Sequence, residues 1–281
     1  MDWLLEPFQL PFMQTAALAA ALVSVTCAML GVYVVLRRMA FIGDALSHTV
    51  LPGLVVAYLN QWNLFGGAIV ASVITALGIG WLSRRQALRE DTAIGVLFTG
   101  MFALGILLMS TVRSFRDFTH ILFGYILGVT SDQLAVIAGI AVAIIVTLLL
   151  LHKELELTSF DPVHAEVIGL RPDLLRYVLL ILMALAVVAA VQAVGVVLTS
   201  ALLVVPAATA SLVTNRLPRM MLVSIGVALF SSLAGLLISY RIDVSSGGAI
   251  VLSCIACFAV AWGVNALRQR RQQRRAHANG A

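Results

Sequence analysis

The chain has 281 residues, of which 61% are hydrophobic and 11% charged, with a net charge of +5 and a mean hydropathy of +1.04. A soluble domain carries about 25% charged residues, so this balance excludes an ordinary soluble enzyme, a disordered chain and a secreted disulfide scaffold. What remains is an all-α polytopic membrane protein.

A bilayer span takes about 20 apolar residues, and the apolar runs fall in order along the chain. The first covers residues 14–36 and stops at Arg37 and Arg38. It is too long for a signal-peptide core. The second covers 41–59, the third 64–82 ahead of Arg84 and Arg85, and the fourth 92–112. A polar segment, 113–120, leads to a stretch at 121–129 that is too short to cross. Its Gly124 and Gly128, four apart, predict a short helix packed closely on its neighbours. The fifth run is 133–151. A long polar segment, 152–173, precedes the sixth at 174–194. The seventh, 197–213, is separated from the sixth only by Gln192 and Gly195, so a count of eight stays open beside nine. Runs at 220–240 and 248–267 complete a single membrane domain over 1–281, whose last residues, 268–281, form a basic tail.

Nine alternating spans put Arg37, Arg38, Arg84, Arg85, Arg89, Lys153, Arg171, Arg176, Arg216, Arg219 and the five tail arginines on one side. Of the 18 positive charges, only Arg113, Arg116 and Arg241 fall opposite. Positive charge collects on the cytoplasmic side, which places the C-terminus inside and the N-terminus outside. The basic tail then reads as a topology anchor in contact with anionic membrane lipids, and no nucleic-acid partner is expected.

Ionisable groups inside a bilayer are costly and mark function. The second span holds Asp44 and His48, whose i, i+4 spacing stacks them on one helix face. At 1.5 Å per residue they sit about 5 and 11 Å into the core. Pro52 extends the same face and, lacking an N–H, frees the His48 carbonyl. Imidazole with carboxylate suits Mn²⁺, Fe²⁺ or Zn²⁺, yet two ligands from one chain leave the shell incomplete. On spacing alone, a helix-packing pair or a proton relay is equally open.

Other residues carry weaker signals. Glu90 and Asp91 suit the positive end of the fourth helix dipole, with ion exit as the alternative. Asp117 and His120 could meet an incoming ion or form a solvated loop. Pro206 is expected to break the seventh span and free the Leu202 carbonyl. Cys254 and Cys257 form a C-x-x-C without a second ligand pair and read as small packing residues. No phosphate loop, zinc-protease motif or serine elbow is present, so enzymatic activity is not expected. Asp161 as N-cap, Pro162 at N1 and Gly169 at the stop predict a two-turn helix outside the bilayer. It would serve either as a docking element for a soluble partner or as a capped interfacial helix.

Taken together, residues 38–53 around Gly43-Asp44 and Ser47-His48, the run from Glu90 to Gly95, Phe160-Asp161-Pro162 through Gly169, and the segment around Pro206 carry a resemblance. Over nearly its whole length the chain resembles the membrane-spanning permease of manganese/zinc/iron ATP-binding-cassette importers. The resemblance implies a homodimer in the bacterial cytoplasmic membrane, with the ion path on its two-fold axis and Asp44 and His48 as ion ligands. It implies cytoplasmic ATPase subunits docking at the helix that includes Phe160, Asp161, Pro162, Glu166 and Gly169. It also implies an extracytoplasmic metal-binding protein, a transported ion (Mn²⁺ first, Zn²⁺ or Fe²⁺ as alternatives) and no permanently bound cofactor. A rival expectation is a proton-coupled secondary transporter that uses Asp44 and His48 as a relay.

Overall fold

A computed structural model describes residues 10–84, 88–111 and 126–279, with side chains described to residue 270. Among these residues the chain forms twelve α-helices and one 3₁₀ turn. They are α1 (Pro11–Leu36), α2 (Ile42–Thr49), α3 (Leu51–Leu59), α4 (Leu64–Arg84), α5 (Glu90–Met109), the turn Ile126–Gly128, α6 (Ser131–Leu150), α7 (His152–Phe160), α8 (Pro162–Val167), α9 (Pro172–Val194), α10 (Val196–Val213), α11 (Leu217–Ile242) and α12 (Ser246–Asn279). With α2 and α3 counted together over Ile42–Leu59, nine of the described segments are long and apolar enough to cross a membrane. Nine such segments among the described residues match the nine apolar runs, and the closely spaced sixth and seventh are separate helices. They part at Gly195, whose φ of 81° is a left-handed geometry that suits glycine.

Helix α1 is apolar on every side, as a helix buried in the middle of a bundle must be. It packs on α6, α9, α10 and α11, and its Ala16, Ala19, Ala20 and Ala28 are buried, which lets those neighbours approach closely. At Gly31 the α10 backbone comes so near that an added Cβ would run into the Leu203 carbonyl. Hydroxyls tie the remaining layers, with Ser224 donating to the Ala28 carbonyl (3.1 Å) and Ser72 to that of Ala184 (3.5 Å). Helices α5, α6 and α12 form the periphery and expose apolar side chains such as Leu107, Leu150 and Leu252.

The second span is two helices joined at Val50. Pro52 has no N–H with which to continue the ladder, so the His48 carbonyl loses its usual i+4 donor at the start of α3. Ser47 and Thr49 donate to the Gly43 and Leu46 carbonyls (2.7 and 3.1 Å), back-bonding of the kind that bends helices. Helices α4, α5, α9 and α10 surround this segment.

One expectation is corrected. Helix α10 runs unbroken through Pro206, a residue membrane helices accommodate when neighbouring helices and hydroxyl groups re-satisfy the backbone. The polar 152–173 segment contains a helix, α7, ahead of the expected short one, so nearly all of that segment is structured. Glu90 and Asp91 lie in the first turn of α5, where the dipole favours them, and no side chain caps the N-cap residue Arg89. Of the 121–129 stretch only the 3₁₀ turn Ile126–Gly128 and Val129 are described. Asp117 and His120 lie outside the described residues.

Gly53 and Gly67 bring α3 and α4 into backbone contact, since a Cβ on either would strike the other's carbonyl. Gly53→Ala should therefore destabilise the protein by about 1–3 kcal/mol, the usual cost of overpacking, read as a lower melting temperature in detergent. Gly139→Ala, where the space around the added methyl is open, should leave the melting temperature unchanged or slightly raised.

Candidate functional site

Asp44 and His48 lie one turn apart on α2, with His48 Nε2 3.7 Å from Asp44 Oδ1. That separation is too long for a hydrogen bond. A shared ion about 2.0–2.2 Å from each atom would hold them about 3.0–3.6 Å apart, so the pair has nearly the spacing that an ion requires. The Asp44 side chain is 53% exposed and that of His48 30%, although the span carrying them is largely buried. A carboxylate bare to hydrocarbon is not tolerated, so this face must meet water or another protein surface. The remainder of α2 is fixed, with Ile42, Ala45, Leu46 and Ser47 buried against the bundle.

On its other flank His48 packs against two rings of α5. Its centroid lies 5.9 Å from that of Phe98 and 5.4 Å from that of Phe102, the latter in an edge-on arrangement. The two phenyl rings stack at 5.8 Å. Among the described residues, the buried His48 Nδ1 has no hydrogen-bond partner. Phe98 and Phe102 were not expected from sequence. Their own i, i+4 spacing on the fourth span was the available signal, but nothing in it pointed to His48. Pro52 seats on Gly105 of α5, one turn along the helix from Phe102, where an added Cβ would lie 3.2 Å from the proline Cδ. Among the described residues no group of three or more His, Cys, Asp or Glu side chains converges, so within one chain the pair stands without a third such ligand.

At the basic end of the bundle a second cluster joins five helices. Arg176 of α9 donates to the Gly80 carbonyl of α4 (3.0 Å), pairs with Asp173 (3.2 Å) and reaches Glu90 of α5 (3.8 Å). Asp173 also pairs with Arg84 (2.9 Å). Arg37, just past α1, donates to Ser159 (3.2 Å) and Thr158 (3.4 Å) of α7. Burial pulls the Arg37 pKa below its usual value, while the Glu90 carboxylate pushes back toward the charged form. Glu90 is thus an interhelical ion partner, and its neighbour Asp91 stays exposed in the first turn.

The short helix α8 is built as its sequence requires. Asp161 accepts from the His164 N–H (2.9 Å), Pro162 opens the helix, and Gly169 closes it at φ 88°. Its Ala165 is buried, while Val163 (71%), Val167 (79%), Phe160 and Ile168 are exposed, with Glu166 on the same outer surface. Open clefts flank it. One of about 540 Å³ runs along Arg84, Glu166 and Arg171, and another of about 390 Å³ lies beside Arg37, Glu90 and Arg176.

A bundle of nine bilayer-length helices that opens a carboxylate–imidazole pair on one face, with a capped apolar helix outside the spans, has the form of a membrane transport permease. The chain belongs to the ABC 3 transport family, whose profile matches residues 9–265. It is 44% identical over 252 residues to the manganese transport system membrane protein MntC of Halalkalibacterium halodurans, covering 89% of this chain and 86% of that one. It is 41% identical over 256 residues to the chelated iron transport system membrane protein YfeD of Yersinia pestis, covering 91% and 86%. Among solved structures, PsaBC from Streptococcus pneumoniae in complex with Fab superposes with a TM-score of 0.81 at 35% identity, over 92% of this chain and 94% of that one.

Replacing Arg176 by Gln would take from Glu90 its ion-pair partner, leave Asp173 with Arg84 alone and remove the fork that reaches Gly80. The expected loss is about 2–3 kcal/mol of stability, measured by thermal unfolding in detergent, with Arg176→Lys falling between because it keeps the charge but not the fork.

Proposed function

We propose that this chain is the membrane-spanning subunit of an ATP-driven importer of divalent transition metal, with Mn²⁺ as the favoured cargo and Fe²⁺ or Zn²⁺ as alternatives. The observation that carries the reading is the Asp44–His48 pair, set at ion-sharing distance on the exposed face of an otherwise buried membrane span. Relatives named for manganese and for chelated iron transport, each matched over most of its length, support the cargo class. The donor set is suited to these metals.

The exposed carboxylate supports a second copy of the chain opposite it, so that two Asp–His pairs complete one coordination shell on a two-fold axis. The basic end, with Arg37, Arg84, Arg171 and Arg176, faces the cytoplasm in this arrangement. The C-terminus follows it inside and the N-terminus lies outside. ATP hydrolysis belongs to separate cytoplasmic ATPase subunits that seat on the apolar tip of α8. An extracytoplasmic metal-binding protein supplies the ion from the other side. The ion is cargo, not a resident cofactor. It enters with the site open outward, exchanges water for the carboxylate and imidazole ligands, and leaves inward when ATPase movement at α8 changes which side the site faces.

Asp44→Ala and His48→Ala should each lower Mn²⁺ uptake by reconstituted complex at least a hundredfold while the permease still co-purifies with its ATPase. Uptake at the parental rate by both variants would overturn the site, and uptake driven by a proton gradient without ATP would overturn the importer. Val163→Asp together with Val167→Asp should abolish ATPase co-purification, because two charges would be buried in an apolar contact. Unchanged co-purification would remove α8 as the docking element.

A further inference from the structure

The chain contains two i, i+4 pairs of histidine and carboxylate, and they differ at the second ring nitrogen. In α7, His152 Nε2 faces Glu156 (3.8 Å) while Nδ1 lies 3.4 Å from the Tyr33 hydroxyl, so both nitrogens have polar company. In α2, His48 Nε2 faces Asp44, but the buried Nδ1 has no partner among the described residues, and the neighbouring rings are those of Phe98 and Phe102. A histidine that binds metal through one nitrogen almost always gives the other N–H to a carboxylate, carbonyl or water, which fixes the ring and raises its basicity. Loss of such a partner typically weakens metal binding 10–100-fold.

We propose that Phe98 and Phe102 are positioning residues of the ion site, which hold the His48 ring by packing while denying its Nδ1 a hydrogen-bond acceptor, so that the metal is bound weakly enough to be released. The inference rests on the reading of Asp44 and His48 as the cargo site. The stacked phenyl rings supply the orientation that a hydrogen bond supplies in resident metal centres, and they do so without strengthening the ligand. Both rings project from α5, whose first turn carries Glu90 and its ion pair to Arg176 of α9. The orienting element of the site is thus anchored at the basic end beside α8, where a shift of α5 would release or restrain the imidazole.

The test uses the full complex with its ATPase subunits and Mn²⁺ alone as the probe, with equilibrium binding and proteoliposome uptake measured together. Phe102→Asn offers Nδ1 a carbonyl acceptor. It should tighten Mn²⁺ binding about tenfold and lower the maximal uptake rate by a similar factor. Parental affinity and rate in an assembled Phe102→Asn complex would overturn the proposal. If that variant does not assemble, Phe98→Leu and Phe102→Leu decide, since each keeps apolar bulk but removes a ring. A KM raised several-fold at unchanged maximal rate supports the orienting role, and parental KM in both overturns it. A His48→Ala complex that still binds and transports Mn²⁺ would fail the underlying site, an outcome distinct from any of the phenylalanine results.

Discussion

A helix can break inside a bilayer only where protein, rather than lipid, meets the backbone groups that the break disturbs. The second span breaks at Val50, partway across, and the other helices are arranged around that fact. Pro52 prevents α3 from continuing α2, Ser47 and Thr49 draw on carbonyls of their own helix, and α4, α5, α9 and α10 cover the segment. Such cover demands close approach. The bundle obtains it with glycines where backbones touch, as at Gly31, Gly53 and Gly67, and with buried alanines along α1. One face of α2 is left open, and that face bears Asp44 and His48. The packing that allows the irregular span and the exposure that makes its polar face usable are two results of the same constraint.

The charged residues are economical. Arg37, Arg84, Arg176, Glu90 and Asp173 meet at one end of the bundle and join the ends of α1, α4, α5 and α9 to α7. Each of these positions is a span terminus, where the cost of a charge is lowest and the number of helices that can be tied together is highest. The apolar tip of α8 sits beside this cluster. Force applied at α8 would therefore meet charged and hydrogen-bonded contacts first, and α5, which holds Phe98 and Phe102 against His48, is one of the helices they tie.

The spans were legible because a run of about 20 apolar residues has few other physical meanings. The two-turn helix at Asp161–Gly169 was legible because capping is local chemistry, written within nine residues of sequence. The Asp44–His48 face was legible because i, i+4 neighbours stack on any helix. Helix α7 was not, since His152–Phe160 has neither an apolar run nor a sharp stripe, and tertiary contacts such as Arg37 to Ser159 hold it in place. The phenyl rings over His48 come from a helix fifty residues away, and no local pattern records that meeting. Pro206 misled in the opposite direction. Its expected break follows from a rule for isolated helices, whereas in α10 neighbouring helices keep the axis continuous.

The two halves of the broken span are held by different kinds of contact. Beyond the break, Gly53 touches the Gly67 backbone, and backbone in a packed helix does not yield. Before it, an added Cβ on Gly43 would meet the Cδ2 methyl of Leu203 at 2.7 Å, the far end of a side chain that can rotate aside. Val50 therefore joins a segment whose glycine meets backbone to one whose glycine meets a side chain, and the second is the one that carries Asp44 and His48. In the proposed transport cycle, a tilt of α2 about that joint would carry Asp44 and His48 together as one short lever while α3 stayed against α4.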